Sequence, residues 1–190
     1  MKQLKAALLL FGFTSAGSFA DNGIVDSVIS KMNSFGSIRA NITIDNTVNG
    51  QLSYKRPNLL HVKFSDGRVI SANGRFLWIF SPENRIAGKQ DLDQEKGTVG
   101  IASILKGYEN VNVTGNIINL KSPSRYYEEV RIVTGDDNMP KAFQLKTKTG
   151  EYTNIALSNI QTDIGLPSNL FNFHPPSNAQ IIENPLNQRE

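Results

Sequence analysis

The side chains able to do chemistry are few, and their spacing does not assemble them. His61 and His174 are the only two histidines in the chain. His61 sits on an alternating strand and His174 beside two prolines, so neither falls in a motif with a serine or a paired acid. Glu128-Glu129 and Asp136-Asp137 are sequence neighbours on a strand and in a turn; on a strand, neighbours point to opposite faces. Asp91, Asp93 and Glu95 suggest a calcium loop, but the sixth position is Lys96 instead of glycine and the twelfth is Ala102 instead of glutamate. A solvated acidic turn fits better. No glycine-rich phosphate loop is present, and with no cysteine there is no thiol nucleophile, disulfide or cysteine metal site. The reading is therefore no catalytic residues, no metal and no cofactor.

What remains is one strong donor in an unusual place. Arg56 lies in GQLSYKRPNLLHVKF, Gly50 to Phe64. Leu52, Tyr54 and Arg56 are spaced by two and share a strand face. Pro57 removes a ladder donor and sets a bend or an edge. Leu60, Val62 and Phe64 then resume the alternation, with His61 and Lys63 on the other face. Read from the residues alone, such a guanidinium is a surface arginine at a hairpin shoulder or a strong donor at the rim of the row.

The elements that position this stretch follow from the rest of the chain. Lys2 and Lys5 precede an apolar run from Ala6 to Phe13, and Ser18-Phe19-Ala20 offers small residues for cleavage. Residues 1–20 read as a secretory signal peptide, cut after about Ala20, and no cysteine follows to carry a lipid anchor. Without Lys2 and Lys5, 18 basic residues face 17 acidic ones, so nothing in the charge argues for nucleic acid. Residues 21–190 suit one domain. Ile24 to Phe35 repeats apolar residues at helical spacing and Gly36 ends it. From Ile38 the period becomes two, with hairpin turns expected at Asn49-Gly50, Asp66-Gly67 and Asn73-Gly74. Phe76, Trp78 and Phe80 occupy one face of the next strand, and Leu77 and Ile79 the other.

Between Ser81 and Gly97 the pattern lapses into an expected loop. Thr98 to Lys106 is a second helical candidate, with Ile101, Ile104 and Leu105 on one side. It is either a lid over the sheet or a permanent plug of the core. Strands return at Val111–Thr114, Ile117–Leu120, Tyr127–Val133, Ala142–Thr147 and Tyr152–Leu157; Ile160 to Leu170 reads as loop, and the tail after Pro175-Pro176 as frayed. The fold class is mainly β (α+β): about ten strands in one curled antiparallel sheet, an incomplete barrel with short helices as lid or plug over its concave face.

Three segments carry a resemblance. Arg56-Pro57-Asn58 followed by Leu59 and Leu60, NGRFLWIFSPEN from Asn73 to Asn84, and LFNFHPPSNAQII from Leu170 to Ile182 resemble, in order, segments of the LolA family of periplasmic lipoprotein carriers. The resemblance implies an incomplete barrel whose cavity shields lipoprotein acyl chains and whose lid is held by the arginine matched here by Arg56. Leu52, Tyr54, Leu60, Val62, Phe64, Phe76, Trp78 and Phe80 are then the candidate cavity lining, and Ile101, Ile104 and Leu105 the lid. Where the family leads one to expect aromatics after the arginine-proline pair, this sequence has Leu60 and Val62.

By the same resemblance the cargo is acylated lipoprotein, taken from an inner-membrane lipoprotein-releasing transporter and passed to an outer-membrane acceptor, by a periplasmic protein expected to be a monomer. Two other classes stay open. A periplasmic sensor of lipid or mislocalised lipoprotein would use the same pocket but usually carries a further partner domain. An interaction protein with a filled core would leave Arg56 without a role.

Overall fold

The computed structural model describes residues 23–92, 108 and 110–185. The expected signal peptide and the helix carrying Ile101, Ile104 and Leu105 lie outside the described residues. Helix α1, Gly23–Asn33, buries Val25, Val28 and Met32, a three-and-four spacing that makes one apolar stripe. Asp26 in its first turn and Lys31 in its last complement the helix dipole. It ends two residues before the expected limit at Phe35.

Twelve strands follow among the described residues: β1 Ser37–Ile44, β2 Val48–Lys55, β3 Leu59–Phe64, β4 Val69–Asn73, β5 Phe76–Ser81, β6 Ile86–Asp91, β7 Asn110–Thr114, β8 Ile117–Lys121, β9 Tyr127–Thr134, β10 Pro140–Thr147, β11 Tyr152–Thr162 and β12 Gln180–Glu183. They form one sheet in the order β12-β6-β5-β4-β3-β2-β1-β11-β10-β9-β8-β7. All pairings are antiparallel except β12 with β6. The sheet is unclosed, with β12 and β7 as its edges. Its concave side gathers residues of β1–β5 and β8–β11 around the buried stripe of α1 in one apolar cluster. Strands from both halves reach the same helix because the sheet curls around it.

Several elements differ from the sequence expectation. The first hairpin turns at Asp45 and Asn46, both with positive φ, whereas Asn49-Gly50 lies inside β2. Gly50 is there for space: a Cβ would stand 2.8 Å from the Lys63 carbonyl across the ladder. The expected loop after Ser81 contains β6, whose glycine and charges hide a strand with Ala87 buried. β11 runs on to Thr162 through a bulge at which Asn159 and Ile160 together oppose Ala40, and Asn159 takes φ 50°. The expected frayed tail instead supplies β12.

A bulge also overturns the expectation for Glu128-Glu129. Lys146 faces Glu129 while Thr147 faces Tyr127, so Glu128 is an extra residue in β9. Both carboxylates therefore reach one ammonium, Lys146 Nζ lying 2.9 Å from Glu128 Oε1 and 2.8 Å from Glu129 Oε1.

After β11 the chain crosses the convex side of the sheet as a strap. Ser37 Oγ donates to the Ile164 carbonyl at 2.7 Å and Lys55 Nζ to the Leu166 carbonyl at 3.2 Å. A 3-10 turn at Ser168–Phe171 buries Phe171. The strap thereby carries the chain from β1 to the far edge, where β12 pairs with β6.

Candidate functional site

The concave face is built by alternation. Leu52 and Tyr54 of β2, with Leu60, Val62 and Phe64 of β3, are all buried in the cluster that contains Val25, Val28 and Met32 of α1. Register places Leu52 opposite Val62 and Tyr54 opposite Leu60, so the five side chains form one continuous apolar surface. Tyr54 is 1% exposed, and its hydroxyl donates to the Pro57 carbonyl at 3.0 Å. Burial pushes that hydroxyl well above the ordinary tyrosine range, and the nearby Arg56 charge offsets only part of the effect. It stays neutral, as a tyrosine in an apolar wall must.

Arg56 occupies the turn between β2 and β3, after which the Arg56-Pro57 peptide is cis. Its Nη2 donates to the carbonyl of Asn33, the last residue of α1, and lies 3.4 Å from Asn33 Oδ1. Its own backbone N–H donates to the Gly36 carbonyl at 2.9 Å. A helix leaves its last carbonyls unsatisfied and its C-terminus partially negative, so a guanidinium there both fills an acceptor and matches the dipole. Arg56 thus fastens the end of the helix that covers the concave face. The resemblance pairs Arg56 with the helix around Ile104, which lies outside the described residues; within the described residues its guanidinium meets Asn33 at the end of α1.

Phe76, Trp78 and Phe80 lie across the sheet from this cluster. Register sets Leu77 opposite Ala72 and Ile79 opposite Ile70, which turns Leu77 and Ile79 to the concave side. Phe80 and Trp78 instead pack with Phe173 on the convex side, at ring-centroid distances of 5.7 and 6.3 Å, beside Val69 and Ala87. Phe76 lies between Arg75 and Lys89, whose charged groups stand 4.8 and 4.5 Å from its ring centre. Sequence reasoning does not single out Phe171 and Phe173 for this face; the period-two spacing of the two phenylalanines is the available signal.

Two open clefts flank these features. On the convex side a cleft of about 710 Å³ is lined by Gln51, Ser53, His61 and Lys63 with Leu170 of the strap. Burial, and then the charge of Lys63, hold the His61 imidazole below its ordinary pKa. Beside α1 a second cleft of about 630 Å³ lies between the last turn of the helix, the β9–β10 turn and β11. Lys31 Nζ spans it to Asp137 Oδ2 at 3.3 Å. The Met139 amide, and then Lys31, hold the Asp137 carboxyl below the usual carboxylate range. Among the described residues no group of three or more histidine, aspartate or glutamate side chains is placed to hold a metal ion, and no helix is long and apolar enough to cross a membrane.

Known proteins resemble this chain over most of its length. An outer-membrane lipoprotein carrier protein of Francisella tularensis is 26% identical over 202 residues, covering 92% of this chain and 94% of the relative. One from Legionella pneumophila is 23% identical over 151 residues, covering 70% of this chain and 73% of the relative. An uncharacterized conserved protein from Thermus thermophilus has the same fold, with a TM-score of 0.53 at 11% identity over 85% of this chain and 97% of that one. The family model described as outer membrane lipoprotein carrier protein LolA matches residues 39–174, from the first strand through the strap. That span holds the concave wall, Arg56 and the strap, and the chain belongs to the LolA family.

Proposed function

We propose that the protein is a periplasmic carrier of acylated lipoproteins, holding acyl chains against the concave wall formed by Leu52, Tyr54, Leu60, Val62 and Phe64. The observation that carries this reading is the way α1 covers that wall. Three side chains, Val25, Val28 and Met32, are inserted into it, and Arg56 ties the helix end to the sheet. The fastenings at the end of this helix include an exposed guanidinium and an exposed ion pair, the kind that a ligand can displace.

The energies are of the right order for exchange. Withdrawing three buried apolar side chains costs about 1.5–3 kcal/mol each. Ten acyl methylenes entering the same space return about 8 kcal/mol. The exposed Arg56 bond adds roughly 1 kcal/mol to the closed side. The terms nearly cancel, so a chain is bound when offered and released to an acceptor that binds it better, without ATP at that step. Loading from an inner-membrane transporter and unloading to an outer-membrane receptor complete the route. The protein works by binding alone and performs no covalent chemistry.

Native mass spectrometry on the protein isolated from periplasm, beside Arg56→Leu, tests this. Bound acylated protein that accumulates in the variant supports the carrier. Two preparations free of acylated protein would sink it.

A further inference from the structure

The cleft beside α1 has a composition and a backbone that its place at the sheet surface does not require. Its floor is apolar: Phe35 and Met139 belong to the main core cluster, and Leu157 and Ile160 pack against that cluster from the cleft side. Two separate bulges make this floor and rim. In β11, Leu157 and Ile160 are three residues apart yet reach the same side because Asn159 is inserted with φ 50°. In β10, Pro140 faces Thr134 and Ala142 faces Val133, leaving Lys141 as the extra residue at the rim. Bulges re-aim side chains at a cost in regular pairing, and two of them meet at one opening.

The mouth is closed differently from the Arg56 side. At Arg56, both a backbone bond to Gly36 and a side-chain bond to Asn33 join helix end and sheet. At the cleft the closure is the Lys31–Asp137 ion pair, with side chains 34% and 56% exposed. An exposed pair is the weaker of the two fastenings. Lys31 and Lys141 together set two ammonium groups against one carboxylate, a donor-rich rim suited to the ester carbonyls of an acyl chain whose tail lies on the apolar floor.

We propose that acyl chains enter and leave the concave face through this cleft, with the Lys31–Asp137 pair as the bar across its mouth. The inference rests on the carrier reading and adds the route. Chains pass under the last turn of α1 as the pair parts.

The chain has no native cysteine, so Lys31→Cys with Asp137→Cys can be bridged selectively. Side chains this long keep the two backbones too far apart for a direct disulfide, and a short bis-methanethiosulfonate linker is used instead. The probe is a fluorescent peptide with a diacylglyceryl cysteine at its amino terminus. The bridged protein is expected to load it at least tenfold more slowly, with the rate restored by reductant. Equal rates before and after reduction overturn the portal and leave the carrier reading intact, whereas no loading by the wild type overturns both. Independently of the bridge, Lys31→Glu sets like charges across the mouth and is expected to speed loading several-fold, and Lys31→Glu with Asp137→Lys to return it to the wild-type rate. A wild-type rate in Lys31→Glu removes the bar from the mechanism.

Discussion

Ser71 Oγ donates to the Phe171 carbonyl at 3.1 Å, tying β4 to the strap across one hundred residues of sequence. A serine has one proton to give, so His61 Nδ1, 3.3 Å from the same oxygen, is the donor in that contact. The tautomer of His61 is set by the strap, and the chain of donors runs from imidazole to hydroxyl to carbonyl.

Ser71→Ala leaves the buried Phe171 carbonyl without this donor. A loss of about 1–3 kcal/mol is expected in urea unfolding. Limited proteolysis between Ser168 and Phe173 should quicken at the same time, because the strap is the part released.

His61 makes stability depend on pH in a definite direction. The folded pKa is below the ordinary value of 6.5, so on acidification the unfolded chain takes up its proton first. Stability from this residue is full above pH 6.5, declines as pH falls through that value, and levels off below the folded pKa. His61→Gln should flatten this part of the stability–pH profile.

Phe171 is 1% exposed. Phe171→Ala should cost about 3–5 kcal/mol, the usual range for truncating a buried phenylalanine. Trp78 is the chain's single tryptophan and lies beside Phe173, so its fluorescence should report strap detachment directly. A red-shifted emission in Phe171→Ala before global unfolding is the expected result.

Arg56→Leu removes the guanidinium that fills the Asn33 carbonyl. The bond is exposed, so global stability should fall by only about 0.5–1 kcal/mol. Amide exchange in the last turn of α1 should rise about 2–5-fold while the strands stay protected. A variant with unchanged exchange would show that Arg56 does not fasten this helix.

Lys146, followed by Lys121, holds the Glu129 carboxyl below the usual range. Lys146→Met should move the Glu129 titration upward in an NMR pH series. The shift should shrink with added salt, because the pair is at the surface.

Much of the sheet was legible from alternation alone. Ile38 to Ile44 and Leu60 to Phe64 alternate apolar and polar residues, and Gly67, Gly74, Gly115 and Gly150 mark turns that need positive φ. What escaped were places where a single extra residue changes the count. The bulges at Glu128 and Asn159 put two carboxylates on one lysine and turn Ile160 inward, and neither carries a distinctive residue. β6 escaped because Gly88 suppresses the strand signal; its missing side chain makes room for Pro185, whose Cγ would stand 3.0 Å from a Cβ there. At the site, Leu52, Tyr54, Leu60, Val62 and Phe64 share the buried face that their spacing implies, whereas Trp78 and Phe80, expected in the same lining, face the other side of the sheet, and the contact of Arg56 with Asn33 was not expected. A contact with the carbonyl of Asn33 involves an atom every residue possesses, and no sequence pattern marks it.

The parallel pairing of β12 with β6 has a bearing on how the molecule behaves in a crowded compartment. An open-ended sheet offers its terminal strand as a template for a neighbour's strand, the first step toward polymers. Here the chain's own four-residue strand occupies the β6 row, Lys89 pairs with Glu183 at 3.3 Å, and Pro185 lies two residues beyond Glu183. A short strand with a charge and a proline at its end is a poor template. The strap therefore ends as a guard, blunting this edge of an unclosed sheet against recruitment of other strands.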